Sequence, residues 1–148
     1  MDVKKEFTDF NFKLMNRAHR VVLGISGGRW LSTPFGMPAV ELTTIGRVTG
    51  QPRTTLLTAP VHDEHRVVLV ASKGGSDRNP LWYGNLRANP DVEVTLLGQT
   101  RLMRARIPSE TERAELWPQI VSAYKGYAGY QKRTERTIPV VICEPRPA

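Results

Sequence analysis

The sequence predicts a mainly β domain with flanking helices (α+β), its six antiparallel strands closing on one small core as a barrel. Three observations carry that expectation. Short β-branched runs separated by turn residues begin at Ala39 and recur as far as Cys143. Helix-start patterns interrupt these runs twice, at Asn79-Pro80 and at Ser109 with Glu112. A chain of 148 residues holds one core of useful size but not separate cofactor and substrate domains.

Residues 1–36 read as a basic arm and residues 37–148 as the barrel. In the arm, Val3, Phe7, Phe10, Leu14, Ala18 and Val21 recur at steps of three or four, with Lys4, Lys5, Lys13, Arg17 and Arg20 between them. Such an amphipathic basic helix serves either as a lid on the domain's own core or as a helix lying on an anionic membrane surface. The stretch GISGGRWLSTPFGMP then forms a loop.

Strands are expected at residues 40–45, 54–61, 66–72, 92–97, 100–107 and 138–143. HDEH and LGQT are hairpin turns, and GRVTGQPR is a longer connection between the first two strands. Asn79 as N-cap before Pro80 opens a short helix through PLWYGNLRA. Ser109 and Glu112 spell a capping box for a second helix, which Pro118 must kink or divide.

The net charge of +7 implies attraction to an anion, whether nucleic acid, membrane headgroups or a phosphorylated small molecule. Cys143 is the single cysteine, so no internal disulfide framework exists. His19, His62 and His65 are scattered, and no metal site is expected. No apolar stretch approaches the roughly 20 residues of a spanning helix, and Asp2, Glu6 and Asp9 spoil a signal-peptide start. The expected location is cytoplasmic, with peripheral contact on the inner face of the membrane if the arm binds lipid.

Two groups of residues carry chemistry. Arg47 and Arg53 bracket the first long loop, while Lys73 and Arg78 lie in the glycine loop after the third predicted strand. Loops of a small barrel that gather at one rim bring these cations to one anion pocket, with glycines 46, 50, 74 and 75 allowing close backbone approach. In YKGYAGYQKRTER, Tyr124, Tyr127 and Tyr130 step by three and share one side of a helix. Such a stripe serves as core packing or as a wall of hydroxyls over a flat ligand; Gly126 and Gly129 weaken that helix by about 1 kcal/mol each, which argues for the wall.

LTTIGRVTGQPR, VASKGGSDRNPLWYGNLRANP and YAGYQKRTERTIPVVICEP together resemble, in order and spacing, the deazaflavin-dependent nitroreductase family of actinobacteria, also described as coenzyme F420-dependent quinone reductases. The likeness spans residues 39–145. It implies a split β-barrel, reduced coenzyme F420 (an 8-hydroxy-5-deazaflavin) as hydride donor, and quinones of the menaquinone kind or nitroaromatics as acceptors. By the same resemblance Arg47, Thr49, Arg53 and Lys73 meet the cofactor's phosphate and polyglutamate tail. Val48 stands where the family usually has lysine. The deazaflavin ring is implied to lie against Thr54, Thr55, Leu56, Leu57 and Thr58, against Val70, Ala71, Ser72 and Lys73, and against Leu81, Trp82, Tyr83, Gly84 and Asn85, with Tyr127 alongside. Tyr124, Tyr127 and Tyr130 then form the acceptor wall, and Ser72 and Tyr130 are candidate hydrogen-bond donors to the acceptor's oxygen. Two other classes fit the residues alone: a non-catalytic carrier of deazaflavin or flavin, and a basic barrel that stacks single-stranded nucleic acid.

Overall fold

The computed structural model describes residues 36–146. The basic arm predicted for residues 3–21 and its lid or membrane role lie outside the described residues. Among the described residues, seven strands make one sheet: β1 (Ala39–Ile45), β2 (Pro52–Thr58), β3 (Val61–His62), β4 (Val67–Val70), β5 (Asp91–Leu96), β6 (Gln99–Arg106) and β7 (Val140–Pro145). Their order is β2-β1-β5-β6-β7-β4-β3, and every neighbouring pair is antiparallel.

The seventh strand corrects the sequence expectation. The run expected at residues 54–61 breaks at Ala59-Pro60, because proline has no N–H to give the ladder. Ala59 N still donates in register to Pro38 O at 3.2 Å, the last bond of the β1–β2 ladder, and after Pro60 the chain resumes as β3 on the far side of β4.

The closed barrel is also corrected, since β2 and β3 are edges that do not pair with each other. The sheet nonetheless has to curl. Seven strands laid flat put the edges about 29 Å apart, whereas the three peptide steps from Thr58 to Val61 reach at most about 11 Å.

Other boundaries moved for local reasons. β4 stops at Val70 because, although Ala71 N still donates in register to Pro139 O (2.9 Å), Pro139 has no N–H to return the bond and Ser72 is already helical (φ −76°, ψ −37°). β5 stops at Leu96, with Leu97 (φ 51°) and Gly98 (φ 77°) both in the left-handed region as the primed two-residue hairpin requires. β7 starts two residues late because side chains claim the backbone of Ile138: Arg113 Nη2 donates to its carbonyl at 2.8 Å, and its N–H donates to Gln131 Oε1 at 2.9 Å.

Among the described residues three α-helices lie on this sheet: α1 (Leu81–Ala88), α2 (Glu110–Ala123) and α3 (Gly126–Lys132). The expected N-cap of α1 moves from Asn79 to Pro80, because Asn79 Oδ1 instead accepts from Arg136 Nη1 at 2.8 Å. Ser109 caps α2 as expected, its hydroxyl accepting from Glu112 N at 3.2 Å, and the helix continues undivided through Pro118.

Strand alternation builds two cores. Val40, Leu42, Leu69, Val94 and Met103 face inward onto Trp82, Tyr83 and Leu86 of α1. Val68, Val70, Val140 and Ile142 face the other way onto Leu116 and Ile120 of α2 and Tyr127 of α3.

Candidate active site

Strand direction decides where the cationic loops emerge. β1 pairs antiparallel with β5, β5 with β6, β6 with β7 and β7 with β4. Four reversals leave the ends of β1 and β4 at the same end of the sheet. The loop after β1, with Arg47, Val48 and Thr49 and with Arg53 just inside β2, therefore leaves from the same end as the loop after β4, with Ser72, Lys73 and Arg78.

Both loops are anchored to α1. Asn85 Oδ1 accepts from Arg47 N at 3.1 Å, and its amide donates to Thr44 Oγ1 at 3.2 Å, so this buried side chain ties the first loop to helix and strand. The Arg47 guanidinium lies against Gly84, 3.6 Å from where a Cβ would stand. Thr49 Oγ1 accepts from Gln51 N (3.2 Å) and from Arg53 Nη2 (3.4 Å), folding the loop back on β2. Val48 is 89 % exposed. The second loop runs directly into α1 through Pro80.

The implied ring-lining residues divide by strand parity. Arg53, Thr55 and Leu57 pair with Thr44, Leu42 and Val40, on the face that carries α1, and Leu57 packs on that core. Thr54, Leu56 and Thr58 face the opposite side, where Thr54 Oγ1 meets Thr43 Oγ1 at 2.8 Å. Trp82 and Tyr83 are buried in the inward core with edge-to-face rings 6.5 Å apart, so the pair roots α1, while Leu81 is exposed. Val70 and Ala71 are buried too.

The second loop is tightly wound. Lys73, Gly74 and Gly75 take φ of 45°, 64° and 84° in succession. Gly75 is also pressed from outside, since a Cβ there would stand 2.9 Å from Tyr130 O and 3.1 Å from Arg133 Cβ. The tyrosine helix thus packs on the glycine turn. No hydrogen bond reaches the Ser72 hydroxyl among the described residues, and the Lys73 ammonium and Arg47 guanidinium likewise have no partner there.

The three tyrosines meet, although not on one helix. Tyr124 is extended (φ −154°, ψ 110°) just after α2, whereas Tyr127 and Tyr130 belong to α3. Their centroids are 5.4, 6.1 and 6.3 Å apart in edge-to-face contacts. Tyr127 is buried, its hydroxyl 3.0 Å from Thr58 Oγ1 and 3.9 Å from Met37 Sδ, and burial pushes its pKa up. The hydrogen bond with Tyr124, followed by partial burial, raises that of Tyr130.

Sequence reasoning missed the segment that clamps the second loop. Thr134 Oγ1 donates to Asp77 Oδ1 at 2.9 Å, and Arg136 bonds the same loop at several points. Both residues fall inside the YAGYQKRTERTIPVVICEP block, where only the tyrosines carry a role, and no local pattern marks them as a clamp.

The model of the F420H(2)-dependent quinone reductase family matches residues 13–145. The chain belongs to this family. It is 40% identical over 134 residues to an F420H(2)-dependent quinone reductase of Mycobacterium tuberculosis, covering 88% of this chain and 89% of that protein. It is similar to a solved F420-H2 dependent reductase (TM-score 0.66, 40% identity, 72% of this chain and 94% of the other). It is also similar to a solved domain-swapped dimer (TM-score 0.69, 34% identity, 93% of this chain and 98% of the other). Family membership covers both cationic loops, α1 and the tyrosine corner.

Proposed function

We propose that this protein is a coenzyme F420-dependent oxidoreductase that reduces a quinone of the menaquinone kind or a nitroaromatic, on a curled sheet of the split-barrel type. The observation that carries the reading is that two cationic loops leave the same end of the sheet, both tied to α1 and the second packed against the tyrosine corner. Arg47 and Lys73 have no anionic partner among the described residues, which suits them to a phosphate and a glutamate tail.

Arg47, Thr49, Arg53 and Lys73 hold that tail, and Val48 contributes no charge. Thr55, Leu57, Leu81, Gly84 and Asn85 border the ring on the α1 side, Ser72 and the Val70–Ala71 backbone on the β4 side, and Thr58 with Tyr127 beneath the corner. The reduced deazaflavin supplies a hydride when bound. Tyr124, Tyr127 and Tyr130 exclude water and orient the acceptor. Ser72 and Tyr130 donate hydrogen bonds to the acceptor oxygen as charge gathers there, each worth on the order of 3 kcal/mol in the transition state.

Among the described residues no helix is long and apolar enough to cross a membrane. The exposed Val48 and Leu81, with the basic arm, fit peripheral contact with a lipid surface that delivers the quinone. The test is to mix the purified chain with reduced coenzyme and a panel of quinones and nitroaromatics while following return of the oxidised chromophore. Binding of coenzyme F420 with no turnover of any acceptor would make the protein a carrier, and preference for flavin mononucleotide would overturn the cofactor.

A further inference from the structure

We propose that Arg136 is a positioning residue for this reaction: its guanidinium fixes the 71–79 loop, and with it Ser72 and Lys73, against the tyrosine corner. The inference rests on the function proposed above and gives a role to a residue that neither the anion pocket nor the tyrosine wall included.

Four acceptors on one loop receive the Arg136 fork. Nε donates to Ser76 O (2.8 Å), Nη1 to Asn79 Oδ1 (2.8 Å), and Nη2 to Ser72 O (3.0 Å) and Ala71 O (3.3 Å). None of these acceptors is a carboxylate. The charge is spread over backbone carbonyls and one amide, and only a planar fork reaches them together; a lysine ammonium is a single point charge.

The loop needs such an external hold. Lys73 is a non-glycine residue in the left-handed region, a strained conformation that persists only when the surroundings impose it. Arg136 is itself pinned to the tyrosine helix. Gln131 of α3 donates from Nε2 to Arg136 O at 2.7 Å, and its Oε1 accepts from Ile138 N at 2.9 Å. Arg133 adds a long contact from Nη1 to Gly74 O at 3.5 Å. The cofactor-side loop and the acceptor-side corner are thus one unit with Arg136 at the joint.

The test uses the full-length chain with Arg136→Ala and Arg136→Lys. Amide exchange at Gly75 and Ser76 is expected to accelerate by about tenfold or more in both variants, with the sheet amides little changed. The dissociation constant for coenzyme F420 is expected to rise about tenfold, and guanidinium ion at a non-denaturing concentration to restore affinity to Arg136→Ala but not to Arg136→Lys. Unchanged exchange at those two amides overturns the proposal. So does a loss of affinity that guanidinium fails to restore, accompanied by uniformly faster exchange throughout the sheet, because that describes general destabilisation. If the unaltered chain does not bind the coenzyme, the function reading falls. The exchange result then decides alone whether Arg136 orders the loop.

Discussion

The Tyr127 hydroxyl lies 3.0 Å from Thr58 Oγ1, joining the tyrosine helix to the last residue of β2 just before the chain breaks from one sheet edge to the other. Tyr127→Phe removes that bond inside a buried site and leaves the Thr58 hydroxyl short of a partner. The expected loss is about 1 kcal/mol of unfolding free energy, read by urea denaturation. Tyr130 is only half-buried, its ring against Tyr124 and Tyr127, so Tyr130→Phe should show the opposite balance: little change in stability and a fall in kcat with quinone. Equal effects of the two variants on both measurements would remove the distinction.

Lys73 sets charge against conformation. Lys73→Ala should weaken coenzyme binding by about 1–3 kcal/mol, since a charge-assisted contact is lost. Lys73→Gly should lose the same affinity yet gain about 1 kcal/mol of stability, because φ 45° costs glycine nothing. Fluorescence titration and thermal unfolding of the two variants give the paired readout. An unchanged dissociation constant in both would take Lys73 out of the site.

How much of this was legible in the sequence depends on the range of the forces involved. Short β-branched runs bounded by turn residues placed six strands to within a few residues, because strand preference and turn chemistry are local. The Ser109–Glu112 cap and both hairpin turns were likewise local. Pro60 was visible as a residue, but its consequence was not: it divides one expected strand between opposite edges of the sheet, and that depends on partners elsewhere. Asn79 was read as a cap for α1 because nothing nearby shows that Arg136, 57 positions later, takes its oxygen. The same holds for the site. Glycines and cations marked the two loops, whereas the clamp that shapes the second loop is made of long-range contacts to carbonyls, which leave no pattern in a sequence.

The two glycines of α3 should respond to alanine with opposite signs. Among the described residues nothing lies within 4 Å of a Cβ built on Gly129, so Gly129→Ala should gain up to about 1 kcal/mol from helix propensity. A Cβ on Gly126 would overlap the Tyr124 ring and stand 2.6 Å from its hydroxyl. Gly126→Ala should therefore lose about 1–3 kcal/mol, or expel the ring from the corner. Thermal unfolding, near-ultraviolet circular dichroism and the KM for quinone check both arms. A stabilised Gly126→Ala variant with an unchanged KM would show that the Tyr124 ring does not rest there.

Glu93 gives the stability of the fold a pH signature. It sits in β5 only 2 % exposed, and neither carboxylate oxygen has a hydrogen-bond partner among the described residues. Desolvation pushes its pKa up to about 7 from the ordinary 4.5, with the Arg146 charge pulling part of the way back. An acid with a raised folded pKa binds more protons in the native state than in the unfolded chain between those two values. Its contribution to stability is then greatest below about pH 4.5 and declines as pH rises to about 7. The lowered carboxylates Asp63 and Glu112 act in the opposite sense at more acid pH. Comparing Glu93→Gln with the unaltered chain isolates the effect, because those groups are common to both. The stability difference in favour of Glu93→Gln should grow between pH 5 and pH 8 by on the order of 1–3 kcal/mol, measured by urea unfolding at each pH. A difference that stays flat across that window would mean that Glu93 ionises in the folded protein as it does in the unfolded chain.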